Sequence, residues 1–241
     1  PIIDRILEYR QLNKLNSTYV EGLSKVIAAD GRIHTCFQNT VTATGRLSST
    51  EPNLQNIPVR TELGAQIRKM FIARPGWVLV DADYSQIELR LLAHMAGDEK
   101  MIESFRAGED IHAHTAAQVF GLPQDQVTSE LRRRAKAVNF GIVYGQQAFG
   151  LSQTLDIPVA EAREMIDRYF EAYPGVRTYL DETVAEARER GFAETMLGRK
   201  RHIPELKSSN GQQRAFGERT AMNHPMQGSA ADIIKMAMNE V

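Results

Sequence analysis

The sequence predicts a helix-rich α+β fold. Apolar residues recur every three or four positions over residues 2–28, and residues 159–190 show a comparable amphipathic pattern, as expected of helices. Residues 32–38 alternate between apolar and polar side chains, and residues 77–83 form a short apolar run that ends in carboxylates; both patterns predict strands. The predicted helices hold far more residues than the predicted strands.

The first half of the chain is predicted to contain two helices and two strands. The helix over residues 2–28 ends at the turn Asp30-Gly31, and we interpret it as a packing helix. Residues 40–60 are rich in Thr, Ser, Asn, Gln and Pro and are predicted to form a surface loop. After the buried strand at residues 77–83, a helix continues to Gly97.

The second half is predicted to be mainly helical. A helix over residues 131–145 follows Thr128 or Ser129, either of which can cap it, and Glu130 supplies a first-turn acid. Two amphipathic helices occupy residues 159–190 and break at residues 173–175. Residues 195–211 predict a short irregular or β segment, and the last helix runs from about Gln213 to the end.

The composition limits which classes of protein and which kinds of binding surface the chain can form. The chain has 241 residues, 42% of them hydrophobic and 24% charged, and it is long enough for one large domain or two subdomains. No apolar run approaches the roughly 18 residues of a membrane span. Because the chain has a single cysteine, Cys36, it cannot form an internal disulfide, and this cysteine content agrees with a protein of the reducing cytoplasm. With a net charge of −1, any nucleic-acid surface must come from local clusters of Lys and Arg.

A stripe of four side chains organises the predicted helix over residues 131–145. Arg132, Lys136, Phe140 and Tyr144 recur at every fourth position, which places them on one helix face. Arg and Lys suit phosphate oxygens, whereas aromatic rings suit a flat base or sugar. The stripe therefore predicts a helix that holds a nucleoside triphosphate lengthwise.

A plainer interpretation of this helix is an amphipathic surface helix with a solvated basic run. The two aromatic residues that continue the cationic line, with Gly141 and Gly145 allowing close approach, favour the functional interpretation.

Two further patterns concern metals. Asp81 and Asp83 lie on one face of the strand predicted at residues 77–83, and by themselves they suggest a pair of ligands for Mg²⁺, which prefers hard oxygen donors. His112 and His114 lack a third ligand nearby in sequence, so we do not predict a metal there.

Four segments resemble the signatures of the family A DNA polymerases, the bacterial DNA polymerase I type. The R-x-x-x-K-x-x-x-F-G-x-x-Y-G stretch that begins at Arg132 is similar to motif B, and residues 83–90, DYSQIELR, are similar to motif A. Residues 44–58 resemble the primer-contacting region, and residues 226–232, MQGSAAD, resemble the helix after the fingers. Four signatures in family order make the resemblance specific.

The resemblance implies a right-hand polymerase architecture, with fingers helices and an incomplete antiparallel palm sheet. Residues 1–30 would be the end of the thumb, 31–90 the first part of the palm, 91–212 the fingers, and 213–241 a palm helix.

The resemblance also implies roles for the site residues. Asp83 would bind metal with help from the Tyr84 carbonyl, whereas Asp81 would be structural. Arg132, Lys136 and His112 would hold phosphates, and Lys136 could also protonate the leaving pyrophosphate. Phe140 would stack on the nucleotide, Tyr144 would guard the template-base position, Glu88 would exclude ribonucleotides, and Gln86 lies beside it at the nucleotide.

Primer–template contacts are expected from two regions. In the loop, Arg46 would reach the minor groove near the primer terminus, where every base pair presents acceptors. The loop amides of Asn53, Gln55 and Asn56 are donor-rich side chains of the kind that position a nucleic-acid backbone. On the last helix, Arg219, Asn223 and Gln227 recur at intervals of four and would meet DNA at the insertion site, although such a stripe could also face solvent.

One family signature does not occur. The His-Asp-Glu turn that supplies a second metal-binding aspartate is missing, so we expect the 241-residue chain by itself to be inactive or nearly so. The complete enzyme is expected to use two Mg²⁺ ions, primer–template DNA and deoxynucleoside triphosphates, and to be a cytoplasmic monomer without a membrane partner. The rival hypothesis is a non-catalytic module that binds primer–template; intact Asp83, Glu88 and Lys136 argue against it.

Overall fold

A computed structural model describes residues 1–59 and 61–241, which form two compact units, residues 1–83 and 84–241. The fourfold division into thumb, palm, fingers and palm helix stays a prediction. Within the described residues, no helix is both long and apolar enough to cross a membrane.

The first unit combines short helices with one small sheet. Its elements are α1 (Ile2–Leu15), a π-helical turn (Asn16–Val20), α2 (Glu21–Ser24), β1 (Cys36–Gln38), β2 (Ser48–Thr50) and α3 (Glu62–Arg68). β1 and β2 pair antiparallel, with Phe37 opposite Ser49. The strand predicted over residues 32–38 is therefore present but shorter, and its partner lies inside the segment predicted to be a loop.

The core of the first unit is small. Tyr19, Leu23 and Ile67 are buried together, whereas no residue of α1 is buried. The first helix is thus present, but among the described residues α1 packs only through its last residue, Leu15, which contacts this cluster. The prediction of a packing helix is wrong for the rest of α1, whose apolar side chains, such as Ile2 and Tyr9, are exposed.

The strand predicted over residues 77–83 is also wrong. This segment lies outside every strand of the described chain, and its apolar side chains are largely exposed, from 69% for Trp77 to 82% for Val80. A strand needs a neighbour to complete its backbone hydrogen bonds, and none of the described residues supplies one here.

The second unit is a helical assembly with one hairpin. Its helices are α4 (Ile87–Ala96), α5 (Glu99–Arg106), α6 (Ile111–Phe120), α7 (Ser129–Val143), α8 (Ala148–Leu155), α9 (Val159–Ala172), α10 (Pro174–Arg190) and α11 (Gly211–Glu240). Single 3₁₀ turns occupy Gln124–Gln126 and Pro204–Lys207, and β3 (Phe192–Glu194) pairs antiparallel with β4 (Lys200–His202).

Most helix boundaries in this unit agree with the sequence predictions. Gly97 ends α4 in the left-handed conformation, and the Thr128 hydroxyl accepts a hydrogen bond from the backbone N–H of Leu131 to cap α7. Tyr173 separates α9 from α10, which begins at Pro174. These agreements follow from local signals, since glycine tolerates positive φ and proline suits a first helical turn.

Two clusters of buried residues hold this unit together. The larger joins α4, α6, α7 and α9 through fully buried side chains such as Leu89, Ile111, Val138 and Tyr169. This core places the N-terminus of α6 beside α7, which positions the site described next.

The smaller cluster packs the β3–β4 region against α10 and α11 through Ala187, Ile203 and Ala221. Beside it, Asp232 of α11 accepts hydrogen bonds from Arg199 Nε and Nη2 at 2.9 and 2.6 Å and from the Thr195 hydroxyl at 2.9 Å. This contact fastens the hairpin to α11.

Candidate functional site

The predicted stripe is present on α7. Lys136 Nζ lies 5.9 Å from the centroid of the Phe140 ring, and the Phe140 and Tyr144 rings lie nearly parallel with centroids 6.3 Å apart. Tyr144 directly follows the last residue of the helix. Lys136 and Tyr144 are exposed, and Arg132 and Phe140 are partly exposed, so the stripe is accessible from outside the unit.

Arg132 is held by a residue that the sequence analysis did not select. Asp110 caps α6 by accepting hydrogen bonds from the backbone N–H groups of His112 and Ala113, at 3.0 and 3.2 Å. Its other carboxylate oxygen accepts a hydrogen bond of 2.6 Å from Arg132 Nε. Partial burial raises the pKa of Asp110, but the hydrogen bond from Arg132 and the cap bonds outweigh it, so the pKa lies below its usual range.

His112 lies against the stripe in a buried hydrogen-bond network. Its ring centroid is 5.9 Å from that of Phe140, and the side chain is only 3% exposed. Asn139 Nδ2 donates a hydrogen bond of 3.0 Å to His112 Nδ1 and one of 3.1 Å to the Thr115 hydroxyl. Burial lowers the pKa of His112 to about 4; the charge of Asp110 opposes this shift, and the charges of Arg132 and Lys136 add to it. The ring is therefore neutral at neutral pH.

Glu88 and Tyr144 meet although they are far apart in sequence. Glu88 lies in the first turn of α4 and is buried, and its carboxylate accepts a hydrogen bond of 3.1 Å from the Tyr144 hydroxyl. Gln86, just before α4, adopts a left-handed conformation with φ of 55°. The structure therefore places Glu88, Tyr144, Phe140 and His112 along one continuous region.

The candidate metal ligands lie at an exposed stretch of chain. Asp81, Asp83 and Tyr84 are exposed and belong to no helix or strand. Among the described residues, no group of three or more His, Cys, Asp or Glu side chains could enclose a metal ion. The Asp83 carboxylate and the Tyr84 carbonyl are nevertheless hard oxygen donors, and such a partial set fits Mg²⁺, which commonly takes one or two carboxylates and completes its shell with water and substrate phosphates.

The loop residues predicted to contact DNA belong to the first unit. Arg46, Asn53, Gln55 and Asn56 are all exposed. Backbone anchors shape the loop around them: the Thr42 hydroxyl donates to the Arg46 carbonyl at 2.6 Å, and the Tyr19 hydroxyl donates to the Asn56 carbonyl. These side chains are therefore displayed on a segment fixed through its backbone.

The polar stripe of α11 approaches the end of α7. Arg219, Asn223 and Gln227 are partly exposed, and Asn223 Nδ2 donates a hydrogen bond of 3.4 Å to the Val143 carbonyl. A Cβ atom at Gly145 would lie 3.1 Å from Arg219 Cα. The absence of a side chain at Gly145 thus allows α11 to pass close to the segment that carries Tyr144.

Other charged residues have structural partners. Arg133 and Arg134 pair with Glu130 at 2.7 and 3.2 Å. His114 Nδ1 lies 2.8 Å from the Ser104 hydroxyl and 3.1 Å from Glu109, consistent with a structural role rather than a metal ligand. In the basic run at residues 132–136, Arg132 and Lys136 therefore belong to the stripe, whereas Arg133 and Arg134 pair with an acid of their own helix.

Two residues beside the site were missed by the sequence analysis. Asp110 directly precedes α6, and an N-cap signal was available there. Asn139 is an amide on the otherwise apolar side of α7, between Val138 and Ile142. A buried amide requires hydrogen-bond partners, but the sequence could not show that one of them is His112.

Comparison with known proteins identifies the family. The family model for DNA polymerase family A matches residues 1–241. DNA polymerase I of Geobacillus stearothermophilus is 55% identical over 98% of this chain, and the thermostable DNA polymerase I of Thermus aquaticus is 53% identical over 99%. The chain spans only 27% and 29% of the lengths of these relatives.

A solved structure agrees with this assignment. The POL domain of Pol1 from M. smegmatis, in complex with DNA primer-template and dNTP, matches with a TM-score of 0.91 and 51% identity, covering 99% of this chain and 42% of that one. The match confirms the helix-rich right-hand polymerase fold, and membership of the family implies use of a divalent metal in general. The chain belongs to DNA polymerase family A.

Proposed function

We propose that the protein containing this chain performs template-directed DNA synthesis, transferring a nucleotide from a deoxynucleoside triphosphate to the 3′-hydroxyl of a primer. The observation that carries the proposal is the stripe on α7, where Arg132, Lys136, Phe140 and Tyr144 follow one another beside His112. The stripe offers cations at one end and stacked rings at the other, which suits a triphosphate and its nucleoside.

Each residue of the stripe has a defined task in this proposal. Asp110 orients Arg132 through a hydrogen bond to Nε, which leaves the terminal nitrogens of the guanidinium available to bind phosphate oxygens. Lys136 contacts the phosphates and supplies a proton to the departing pyrophosphate. Phe140 stacks on the nucleotide, and Tyr144 borders the position of the templating base. Glu88, buried and held by Tyr144, crowds the sugar where a ribonucleotide would carry its 2′-hydroxyl.

The proposed metal is Mg²⁺, held by the Asp83 carboxylate with the Tyr84 carbonyl. When bound, it supplies Lewis-acid stabilisation of the phosphoryl group and lowers the pKa of the attacking hydroxyl. The proposed DNA-binding residues are Arg46, Asn53, Gln55, Asn56, Arg219, Asn223 and Gln227, whose exposed or partly exposed side chains are available to a nucleic acid. We further infer a cytoplasmic monomer, by analogy with the family.

The test is primer extension by the full-length protein with Mg²⁺ and all four deoxynucleoside triphosphates. Asp83→Ala should abolish extension. Lys136→Ala should reduce it about 10- to 150-fold, because a hydrogen bond to a charged group contributes roughly 1.5–3 kcal/mol. Lys100→Ala, which removes an exposed lysine from α5, is the matched control and should extend normally.

The rival is a module that binds primer–template without extending it. It predicts that the wild-type protein shifts the mobility of labelled primer–template but adds no nucleotide under any metal. That combination of results would refute the proposed synthesis and leave the binding function in its place.

A further inference from the structure

Asn139 connects the two helices that form the site. The residue is fully buried on α7, and its side chain reaches α6 at two points. Nδ2 lies 3.0 Å from His112 Nδ1 and 3.1 Å from Thr115 Oγ1, and the Thr115 hydroxyl donates to Asn139 Oδ1 at 3.2 Å. Thr115 Oγ1 also lies 3.3 Å from the hydroxyl of Tyr173. The amide is therefore used on both of its polar atoms.

The contact with His112 constrains where the imidazole can carry its proton. An amide nitrogen has hydrogens to donate and no lone pair to accept with. The ring nitrogen that faces it at 3.0 Å must therefore be the unprotonated acceptor. Because a neutral imidazole carries one N–H, that hydrogen resides on Nε2. A proton on Nδ1 would place two donors against each other, so the same contact also opposes the imidazolium form.

This tautomer suits the surroundings of His112. The charged groups that face the ring are Asp110 from its own helix and Arg132 and Lys136 from α7. No described residue forms a hydrogen bond with Nε2, which is left as an N–H donor on a ring beside Phe140. Phosphate oxygens only accept hydrogen bonds, so a neutral Nε2–H adds a donor without adding a third positive charge to the two cations.

We propose that Asn139 is a positioning residue: it holds His112 in the Nε2–H tautomer, so that the neutral imidazole donates a hydrogen bond to the phosphates of the incoming nucleotide. The part that concerns phosphates rests on the proposed function, whereas the part that concerns the tautomer does not. Asn139 itself touches no substrate in this proposal and acts only through His112.

The first measurement needs no variant. The full-length protein, labelled with ¹⁵N-histidine and with the His112 resonances assigned by loss in His112→Gln, is studied by NMR without nucleotide. Nδ1 should show the shift of an unprotonated nitrogen and Nε2 that of an N–H. A protonated Nδ1 in the wild-type protein would overturn the proposal.

The second measurement uses Asn139→Asp, which keeps the size of the side chain but turns the donor into an acceptor. The carboxylate should draw a proton onto Nδ1, so the His112 pKa should rise by at least about one unit. Asn210→Asp adds the same charge at the exposed N-cap of α11, where aspartate caps equally well, and should leave His112 unchanged. An unaltered His112 titration in Asn139→Asp would contradict the proposal.

Nucleotide affinity then separates this inference from the proposed function. In Asn139→Asp, the dissociation constant for a deoxynucleoside triphosphate, measured on the complex with primer–template, should rise at least about 10-fold as pH increases through the new His112 pKa, because one donor to a charged phosphate is lost. The wild-type value should stay flat over that range. If His112 carries its proton on Nε2 as expected, but neither the wild-type protein nor any variant binds nucleotide, the positioning role is supported and the proposed function is refuted. Nucleotide binding by a protein whose His112 carries its proton on Nδ1 would refute the positioning role and support the proposed function.

Discussion

Replacing Gly145 by alanine should destabilise the second unit, because α11 passes close to this position. Gly145 has φ of +63°, and an L-residue in this left-handed region costs about 1–2 kcal/mol. In addition, a Cβ atom would lie 3.1 Å from Arg219 Cα, Arg219 Cγ and Met222 Sδ. α11 would have to retreat by a few tenths of an ångström, and forced overpacking of this kind costs about 1–3 kcal/mol.

Gly121→Ala separates the two contributions. Gly121 ends α6 with φ of +65°, nearly the same as Gly145, but nothing lies within 4 Å of the Cβ position. Gly121→Ala should therefore lower the free energy of unfolding by the backbone cost alone, about 1–2 kcal/mol. Gly145→Ala should lower it by about 1 kcal/mol or more beyond that.

The assay is urea unfolding followed by far-ultraviolet circular dichroism, with the three proteins compared at unchanged m-value. Gly145→Ala should also weaken primer–template binding, because the displaced segment of α11 carries Arg219, one of the proposed DNA-binding residues, whereas Gly121→Ala should not. Equal destabilisation by the two substitutions would show that the close approach of α11 contributes nothing, and the packing argument would fail.

Three further predictions concern charged and titrating groups. Asp110→Ala should cost about 1 kcal/mol of stability, because the N-cap of α6 is lost. Asp110→Asn keeps the cap and should cost less than about 1 kcal/mol, because the ion pair with Arg132 is half-exposed. A larger drop in melting temperature for Asp110→Asn than for Asp110→Ala would contradict this prediction. Because the pKa of His112 is about 4 in the folded state and about 6.5 when unfolded, the unfolded state binds the extra proton first as pH falls. The free energy of unfolding should therefore fall by up to about 3 kcal/mol between pH 6.5 and 4, and urea midpoints should fall less steeply in His112→Gln. Asp232→Ala should lower the free energy of unfolding by about 2 kcal/mol, since it removes the acceptor for Arg199 and Thr195. Asp181→Ala, at an exposed ion pair of α10, is the control and should lower it by less than about 0.5 kcal/mol. Equal losses of stability in calorimetry would refute the anchoring role of Asp232.

Local signals in the sequence were sufficient for much of the fold. The boundaries of α4, α7 and α10 follow from Gly97, Thr128 and Pro174, whose effects depend on their own backbone and immediate neighbours. Patterns that depend on distant partners were less reliable. The apolar run at residues 77–80 resembles a buried strand in composition, yet burial requires a neighbouring surface, and this segment is exposed.

The candidate site divides in the same way. By itself the sequence determined that Arg132, Lys136 and Phe140 share one side of a helix that Tyr144 directly follows, because helical periodicity is local. It also determined the family, through signatures in a fixed order. Only the tertiary structure decided what lies opposite that helix: Asp110 on Arg132, Glu88 on Tyr144, and His112 on Asn139. These pairs join residues 22 to 56 positions apart. No periodicity encodes such distances, since the packing of α4 and α6 against α7 sets them.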